Sequence, residues 1–372
     1  MKVLLVANYE ADRQWSMDRF SGMLLRGLNE QREQQGIEAA LVRPAVILGR
    51  RNKWLAYVDK FVLFRFALRR AVKARPGCLI HILDQGNAIY AAWLNRCHPS
   101  LCVVTLHDLL AIRAALGEFP PHRPSWTGRI FQRLILRGLR KAARLVSVSQ
   151  ATRRDASCLL GKSEVIPNGL EDSWTPLTAD QAWPRIELAG LNASARQSGY
   201  ILHVGGAQWY KNRPGAVRAF IDLRARTAHA PKLVMVGPPL DAALITELKN
   251  AGLAGETVVL NGVANDTLHA LYSMARVLIF SSLAEGFGWP IIEAQASGCP
   301  VIASASEPMR ETGGPAAIYA EDGQWSKALA DLLEMDATRR AAHIAAGIEN
   351  ARRYSASRMA RDYIDFYRRC LE

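Results

Sequence analysis

Short apolar runs alternate with longer amphipathic stretches along this chain. Runs of this length predict strands, and the stretches between them have helical periodicity. The runs are nearly continuous, as in strands buried on both faces of a parallel sheet, so the alternation predicts an α/β fold. The predicted strands are Lys2–Ala7, Leu79–Leu83, Cys102–Leu106 and Leu145–Ser149 in the first half, and Tyr200–Val204, Lys232–Val236, Thr257–Leu260, Val277–Phe280 and Val301–Ala303 in the second.

The alternation is interrupted between the two halves, at Glu171–Gly199. This stretch contains Pro176 and Pro184 and ends in the polar run Asn192–Gly199, a composition typical of a connecting segment. A chain of 372 residues also has the length of about two domains. The expected division is an N-terminal domain at 1–175, a linker at 176–198, a C-terminal domain at 199–353 and a closing helix at 354–372.

Composition argues against several protein classes. The longest apolar runs are far shorter than the roughly 20 residues that cross a bilayer, so no transmembrane helix is expected. The N terminus lacks the small-residue cleavage site of a signal peptide, which predicts a cytoplasmic location. Neither an Asp-x-Asp pair nor histidines at ligand spacing occur, so no metal is expected. Dispersed cysteines favour isolated thiols over disulfides: Cys78, Cys97, Cys102, Cys158, Cys299 and Cys370.

The positive charge is confined to the first half of the chain. Residues 1–198 contain 29 Lys and Arg against 16 Asp and Glu, which accounts for the whole net charge of +13, while residues 199–372 are neutral. A localised basic field indicates that the first domain faces an anionic partner, such as a phospholipid surface, a diphosphate or nucleic acid.

Two segments carry much of this charge. Residues 43–75 hold ten bases and one acid, interleaved with aromatic side chains such as Trp54 and Phe66. Residues 129–144 hold further bases at near-helical spacing beside apolar side chains. Both suit the headgroups of anionic lipids, but either could equally be a solvated helix face whose apolar side packs into the domain. Together they favour peripheral contact with a membrane.

The stretch Val277–Ala303 predicts a binding loop. An apolar strand ends at Phe280, a loop closes with Gly286-Phe287-Gly288, a helix begins at Trp289-Pro290, and Gly298 ends it. The free N–H groups and positive dipole end of such a helix attract anions, and the flanking glycines let a phosphate approach closely. The end of a strand in an α/β sheet is also where ligands bind. A nucleotide diphosphate fits this loop.

Glu285 and Glu293 lie on either side of the glycine loop and can both face the crevice. A carboxylate is a strong acceptor for paired hydroxyls, so Glu293 is a candidate for holding a ribose diol and Glu285 for contacting the donor near its reacting carbon. The alternative for Glu293 is compensation of the helix dipole, and for Glu285 a solvated loop acid.

The whole stretch resembles the E-x7-E signature of retaining glycosyltransferase family 4, in the form E-G-F-G-x-P-x-x-E-A-x-A-x-G-x-P-V. Ile201–Asn212 and Leu260–Val263 are similar to further motifs of that family. The resemblance implies the GT-B fold, with two facing Rossmann-like domains, a central cleft and a C-terminal helix that crosses back to the N-terminal domain. It also implies that the N-terminal domain binds the acceptor and the C-terminal domain the nucleotide sugar.

The same resemblance assigns roles to individual residues. Lys211 would contact the donor phosphates, although Tyr210 replaces the usual arginine before it and Gly206 stands where some relatives have another; Arg213 is the candidate substitute. His107 is implied to be catalytic through positioning. The donor-binding set is Gly206, Lys211, Arg213, Val263, Glu285, Gly286, Phe287, Gly288 and Glu293. The acceptor side is Gly22, which resembles the family's glycine before the first helix, and Asp108.

The implied activity is transfer of a hexose such as mannose from a UDP- or GDP-sugar to a glycan or lipid-linked acceptor, with retained anomeric configuration and no metal or other cofactor. Polysaccharide or glycolipid synthesis at the inner face of the cytoplasmic membrane would use such an enzyme, and no nucleic-acid partner is expected. Two alternatives stay open: a nucleotide-sugar 2-epimerase of the same fold, and a non-catalytic basic protein that binds membrane or nucleic acid.

Overall fold

The computed structural model describes residues 1–50, 52, 54–97, 101–191, 193–227 and 231–372 of the chain. Its backbone contacts divide into two units. The first unit is Met1–Glu171 together with Ser355–Glu372, and the second is Asp172–Tyr354. Each unit is built on its own parallel sheet.

The sheet of the first unit has the strand order β2-β1-β3-β4-β5-β6, with every pair parallel. The order reverses between β1 and β3, which makes the carboxyl ends of these two strands the natural ligand crevice of the sheet. Its strands are β1 Lys2–Val6, β2 Glu38–Val42, β3 Leu79–Ile82, β4 Cys102–Leu106, β5 Arg144–Ser147 and β6 Glu164–Val165.

The second unit repeats this design with the order β12-β11-β10-β7-β8-β9. Here the reversal falls between β7 and β10. Five predicted strands are confirmed with their bounds, and all but one of them are interior strands: β4, β7, β8, β9 and β10. The strands are β7 Tyr200–Val204, β8 Lys232–Val236, β9 Thr257–Leu260, β10 Val277–Phe280, β11 Val301–Ser304 and β12 Ile318–Ala320.

Helices cover the sheets in a βα alternation, which confirms two Rossmann-like units. In chain order they are α1 Trp15–Glu30, α2 Arg32–Gln35, α3 Ala56–Val58, α4 Phe64–Lys73, α5 Ile89–Cys97, α6 Leu110–Leu116, α7 Trp126–Leu139, α8 Gln150–Leu159, α9 Ala179–Leu188, α10 Ala193–Ser198, α11 Arg213–Arg226, α12 Ala242–Asn250, α13 Asn265–Met274, α14 Trp289–Ala296, α15 Met309–Gly313, α16 Trp325–Leu333, α17 Ala337–Arg352 and α18 Ala356–Leu371. No helix in the described ranges is long and apolar enough to cross a membrane.

The predicted linker at 176–198 is a folded part of the second unit. Its residues form α9 and α10, and α9 packs on α13 with Ala182, Trp183 and Ile186 buried. A capping box at Thr178 marks the start of α9, and Pro184 lies inside the helix. The prolines therefore led to a misplaced domain boundary. Burial of the apolar face of α9 against the domain stabilises this helix although Pro184 removes one of its hydrogen bonds.

The C-terminal helix α18 is part of the core of the first unit. Tyr363 and Tyr367 on its inner face are fully buried. The Tyr367 hydroxyl lies 2.6 Å from Nδ1 of His81, His81 Nε2 lies 2.7 Å from the Thr105 hydroxyl, and that hydroxyl lies 2.9 Å from the hydroxyl of Tyr363. Burial lowers the pKa of His81 to about 3, so the ring is neutral within this network. The network joins α18 to strands β3 and β4.

A buried carboxylate, Asp59, anchors the segment before α4 in the first unit. It accepts hydrogen bonds from the Tyr9 hydroxyl at 2.8 Å and from the backbone N–H groups of Ile47, Leu48 and Gly49 at 2.9–3.1 Å. Burial alone would raise the pKa of Asp59, but these hydrogen bonds outweigh it and lower the pKa to about 2. Because a Cβ at Gly49 would clash with the Tyr9 hydroxyl, glycine is required there.

Replacing Asp59 with asparagine is expected to lower the free energy of unfolding at pH 7 by about 2–3 kcal/mol, since an amide cannot accept all these bonds and points an N–H at a donor. The folded-state pKa lies below the usual 3.8, so the stabilisation is complete above that pH and is lost as pH falls towards 2. Urea unfolding over this range, with Asp331→Asn as an exposed control, measures both effects. A variant as stable as wild type, with the same acid sensitivity, would contradict the assignment.

Candidate functional site

The glycine loop of the second unit connects β10 to α14. Gly288 precedes the helix with φ +99°, a left-handed conformation that favours glycine, and Pro290 follows in the first turn. The Thr312 hydroxyl donates to the Phe287 carbonyl at 2.6 Å, which fixes the loop from behind. Gly286, Phe287 and Gly288 are all buried. The predicted strand, loop and helix start are confirmed, and α14 begins at Trp289 as expected.

A second loop lies beside it because β7 and β10 are neighbours at the point where the strand order reverses. This loop runs from Gly205 through the short 3-10 helix Trp209–Lys211 to the start of α11. The two loops are tied together: the N–H of Leu283 donates to the Tyr210 carbonyl at 2.7 Å, and the Ser281 hydroxyl donates to the Asn212 carbonyl at 2.9 Å. The crevice predicted by the switch-point rule is therefore lined by both.

Lys211 and Glu285 meet at the mouth of this crevice. The Lys211 ammonium donates to Glu285 Oε1 at 2.6 Å, with 19% and 10% of the two side chains exposed. The ammonium also lies 5.6 Å from the centre of the Tyr210 ring and 5.9 Å from that of Phe280, within range of cation–π attraction. The sequence assigned both residues to the donor, but their direct pairing appears only in the structure.

Glu293 is buried in the first turns of α14, and its Oε2 accepts a hydrogen bond from the Tyr272 hydroxyl at 3.0 Å. A buried carboxylate needs such partners, so Tyr272 holds the side chain in place. Neither a solvated loop acid at Glu285 nor a bare dipole-compensating acid at Glu293 describes these positions, since both side chains are mostly removed from water and hydrogen-bonded.

The remaining donor-side candidates differ from expectation in one case. The Arg213 guanidinium is buried and donates to the carbonyls of Pro238 and Pro239, at 2.7 and 3.2 Å, so in this structure it fastens the loop after β8 instead of replacing the missing motif arginine. Because Arg213 begins α11, its side chain points back along the helix towards that loop. Gly206 and Val263 lie in the loops after β7 and β9, at the same edge of the sheet.

In the first unit, His107 follows β4 and is buried against Phe20, whose ring centre lies 4.7 Å away. Its Nε2 lies 2.9 Å from the Leu83 carbonyl, which can only accept, so Nε2 carries the proton and Nδ1 is left as an acceptor. Burial lowers the pKa of His107, and the charge of Asp84 and the bond to Leu83 oppose this only in part. A neutral ring suits contact with a sugar hydroxyl. Asp108 is half-buried and accepts from the N–H of Leu110 at 3.0 Å.

The prediction for Gly22 is wrong in its placement. Gly22 was expected before the first helix, but α1 already begins at Trp15, so Gly22 lies in the helix interior. The buried positions Phe20, Met23 and Leu24 set the inner face of α1, and the glycine falls beside it, half-buried. No close backbone approach requires a glycine there, since a Cβ would only touch the end of the flexible Arg26 side chain.

Sequence reasoning missed a polar cluster at the reversal point of the first sheet. Asn8 follows β1 and Asp84 follows β3, and the Asn8 amide donates to Asp84 Oδ2 at 2.5 Å. The Asn87 amide donates to Asn8 Oδ1 at 2.8 Å, and the Gly86 N–H donates to Asp84 Oδ1 at 2.6 Å. The signal available in the sequence was position, because Asn8 and Asp84 are each the first polar residue after a strand that flanks the switch point. Groups of three metal-ligating side chains do not occur among the described residues.

Family comparisons match both halves of the chain. Residues 191–349 match the family described as glycosyl transferases group 1, and residues 4–169 match a glycosyl transferase 4-like domain. The first match contains the crevice with Lys211 and Glu285, and the second contains His107. Together the two matches span most of the chain.

The individual proteins that match this chain have low sequence identity to it. The chain is 24% identical over 274 residues to the O-antigen chain mannosyltransferase B of Escherichia coli, covering 72% of this chain and 70% of that protein. It is 30% identical over 220 residues to the D-inositol 3-phosphate glycosyltransferase of Salinispora tropica, covering 55% of this chain and 45% of that protein. The chain thus spans less than half the length of the second relative.

Solved structures share the backbone fold over the whole chain. Sucrose-phosphate synthase from Thermosynechococcus elongatus superposes with a TM-score of 0.73 at 18% identity, covering 100% of this chain and 99% of that one. Anabaena HepE in complex with UDP and glucose gives a TM-score of 0.70 at 18% identity, with 99% of both chains covered. At such identities the likeness establishes the fold. With both halves matched to glycosyltransferase families and this architecture, the chain belongs to the GT-B glycosyltransferases of group 1.

Proposed function

We propose that this glycosyltransferase moves a hexose, mannose being the leading candidate, from a nucleotide-diphosphate sugar to a glycan or lipid-linked acceptor. We further propose that it retains the anomeric configuration and needs no metal ion. The observation that carries the proposal is the pairing of Lys211 with Glu285 across the β7 and β10 loops. The names of two relatives, a mannosyltransferase and an inositol-phosphate glycosyltransferase, and the UDP bound to HepE point the same way.

The donor diphosphate would lie at the amino end of α14, where backbone N–H groups and the helix dipole favour an anion. Lys211 supplies the positive charge that a metal ion supplies in other enzymes, and it stabilises the charge that builds on the leaving diphosphate. Glu285 would then loosen its contact with Lys211 and accept a hydrogen bond from a sugar hydroxyl. Glu293, held by Tyr272, would accept hydrogen bonds from the ribose diol.

Retention follows from this arrangement if the acceptor attacks from the side of the leaving group. The bond between the anomeric carbon and the diphosphate oxygen breaks while the acceptor oxygen bonds to the same face of that carbon. The acceptor proton passes to the departing diphosphate, so no carboxylate base flanks the bond. His107 has a neutral Nδ1 acceptor suited to orienting a hydroxyl.

A thermal-shift screen with UDP-, GDP-, ADP- and dTDP-sugars tests the donor. The matching donor near 100 times its Kd should raise the unfolding temperature by about 5 °C, while its free sugar should not. Activity should persist in excess EDTA, and proton NMR of the product should show the anomeric configuration of the donor.

Three results would contradict the proposal. Loss of activity in EDTA that is restored by a divalent ion would refute metal independence, and an inverted product would refute retention. Formation of an epimerised sugar nucleotide without any acceptor would identify a 2-epimerase instead.

A further inference from the structure

The structure brings the two basic segments of the first unit together. The segment before and within α4 contacts α7 through Phe61 and Phe131, whose ring centres lie 5.8 Å apart. Phe61 also lies 6.2 Å from Tyr90 of α5, so the three helices share one packed layer. Residues that lie some 70 positions apart in the sequence therefore belong to one continuous surface.

Packing explains only the inner faces of these helices. On α4 the residues Phe64, Leu68 and Val72 are buried, and on α7 the residues Ile135, Leu136 and Leu139 are buried. This is the solvated-helix arrangement that the sequence left open. That arrangement predicts outer faces made of polar residues alone, but the outer faces also carry large apolar side chains.

Large apolar side chains form rows on the outside of both helices. Val62 and Phe66 are one helical turn apart, and Trp126, Ile130 and Leu134 follow each other at intervals of four along α7. The exposed fraction is 70% for Phe66 and 66% for Trp126. Single exposed hydrophobic residues are ordinary, but contiguous rows of them mark a surface that binds an apolar partner.

Arginines alternate with these rows. Arg129, Arg133 and Arg137 run beside the apolar residues of α7, and α7 contains no acid. Arg65 and Arg69 flank Phe66 in the same way. Among the described residues, none of these five arginines forms an ion pair, so their charges face solvent.

Not every base of the predicted segments takes part in this surface. Lys60 pairs with Asp12 at 2.8 Å and Arg43 with Asp18 at 3.1 Å, so the charge of both is balanced within the unit. Arg51 and Lys53 lie outside the described residues.

We propose that the outer faces of residues 54–73 and of α7 form one docking surface for an anionic phospholipid bilayer. The apolar rows would enter the interface between headgroups and acyl chains while the arginines contact lipid phosphates. A second copy of the chain fits poorly, because a symmetric contact would press two basic faces together. Nucleic acid would leave the apolar rows facing its phosphates. Only the bilayer offers both an apolar layer and negative charge.

Vesicle flotation without donor or acceptor tests this surface separately from the proposed catalysis. The wild-type chain should float with equimolar phosphatidylcholine–phosphatidylglycerol vesicles and not with phosphatidylcholine alone. The triple variant Arg129→Gln, Arg133→Gln and Arg137→Gln should bind at least tenfold more weakly. The double variant Ile130→Ser and Leu134→Ser should also lose about tenfold while keeping its net charge.

A matched control removes the same charge elsewhere. Arg185→Gln, Arg226→Gln and Arg339→Gln lie on exposed positions of the second unit and should leave vesicle binding unchanged. Circular dichroism establishes that each variant is folded. Failure of the wild type to bind the anionic vesicles, or an equal loss in the control, would overturn the proposal. Self-association or oligonucleotide binding that depends on the same arginines, without vesicle binding, would overturn it in favour of those partners.

Discussion

Lys211→Ala is expected to lower kcat/KM for sugar transfer by about a thousandfold. The ammonium is the one cation that the β7 and β10 loops direct at the crevice in the described structure, and removing a preorganised group that stabilises a leaving charge typically costs two to three orders of magnitude. The variant should still fold, because the pair lies at a loop edge and not in the core. Initial rates with the matching donor measure the loss.

Removing Lys211 also leaves Glu285 without its partner, so stability must be separated from catalysis. Combining Lys211→Ala with Glu285→Gln removes the uncompensated charge, and we expect it to recover stability without recovering activity. Lys327→Ala is the matched control, since that lysine forms an exposed pair with Asp331 in the same unit and such pairs contribute little. Activity within tenfold of wild type in Lys211→Ala would refute the assigned role.

Tyr363→Ala is expected to destabilise the first unit by about 3–5 kcal/mol. The ring is fully buried, with ring centres of His81 and Tyr367 at 5.2 and 5.8 Å, and truncation leaves a cavity between α18 and the sheet. Tyr363→Phe keeps the ring and removes only the hydroxyl that meets Thr105, so about 1 kcal/mol is expected. Urea unfolding followed by fluorescence measures both.

Phe66→Ala supplies the control for Tyr363, because it removes an aromatic ring that is 70% exposed on the same unit. We expect it to change the free energy of unfolding by less than about 0.5 kcal/mol. If Tyr363→Ala were as mild as Phe66→Ala, α18 would not belong to the core as described. If Tyr363→Phe were as severe as Tyr363→Ala, the hydroxyl network and not the ring would stabilise the helix.

All interior strands of the two described sheets were predicted, whereas three of the four edge strands were missed and only the edge strand β9 was predicted. The interior strands β4, β7, β8 and β10 were predicted with their bounds, while β2, β6 and β12 were missed and all three lie at an edge. An edge strand has a neighbouring strand on one side only and is less buried. Its apolar and polar residues therefore alternate less clearly, and its apolar run is short. The burial patterns of these three strands are accordingly mostly intermediate or exposed.

Local signals determined the glycine loop correctly. A strand, a glycine before the helix and a proline in its first turn are all encoded within a dozen residues, so Gly288 and Pro290 could be placed without knowing the rest of the fold. Local reasoning failed for the linker, and the family resemblance misplaced Gly22. In both places burial of an apolar helix face, a tertiary effect, decided where the helix begins.

By itself the sequence determined the α/β class, the interior strands and the loop that carries Glu285, because these depend on residues close together in the chain. Only the tertiary structure decided that Lys211 and Glu285, 74 positions apart, form one ion pair, and that Arg213 turns to the carbonyls after β8. Likewise only folding put Phe61 beside Phe131. Sheet order and helix packing set these neighbours, and neither is encoded in any short stretch of sequence.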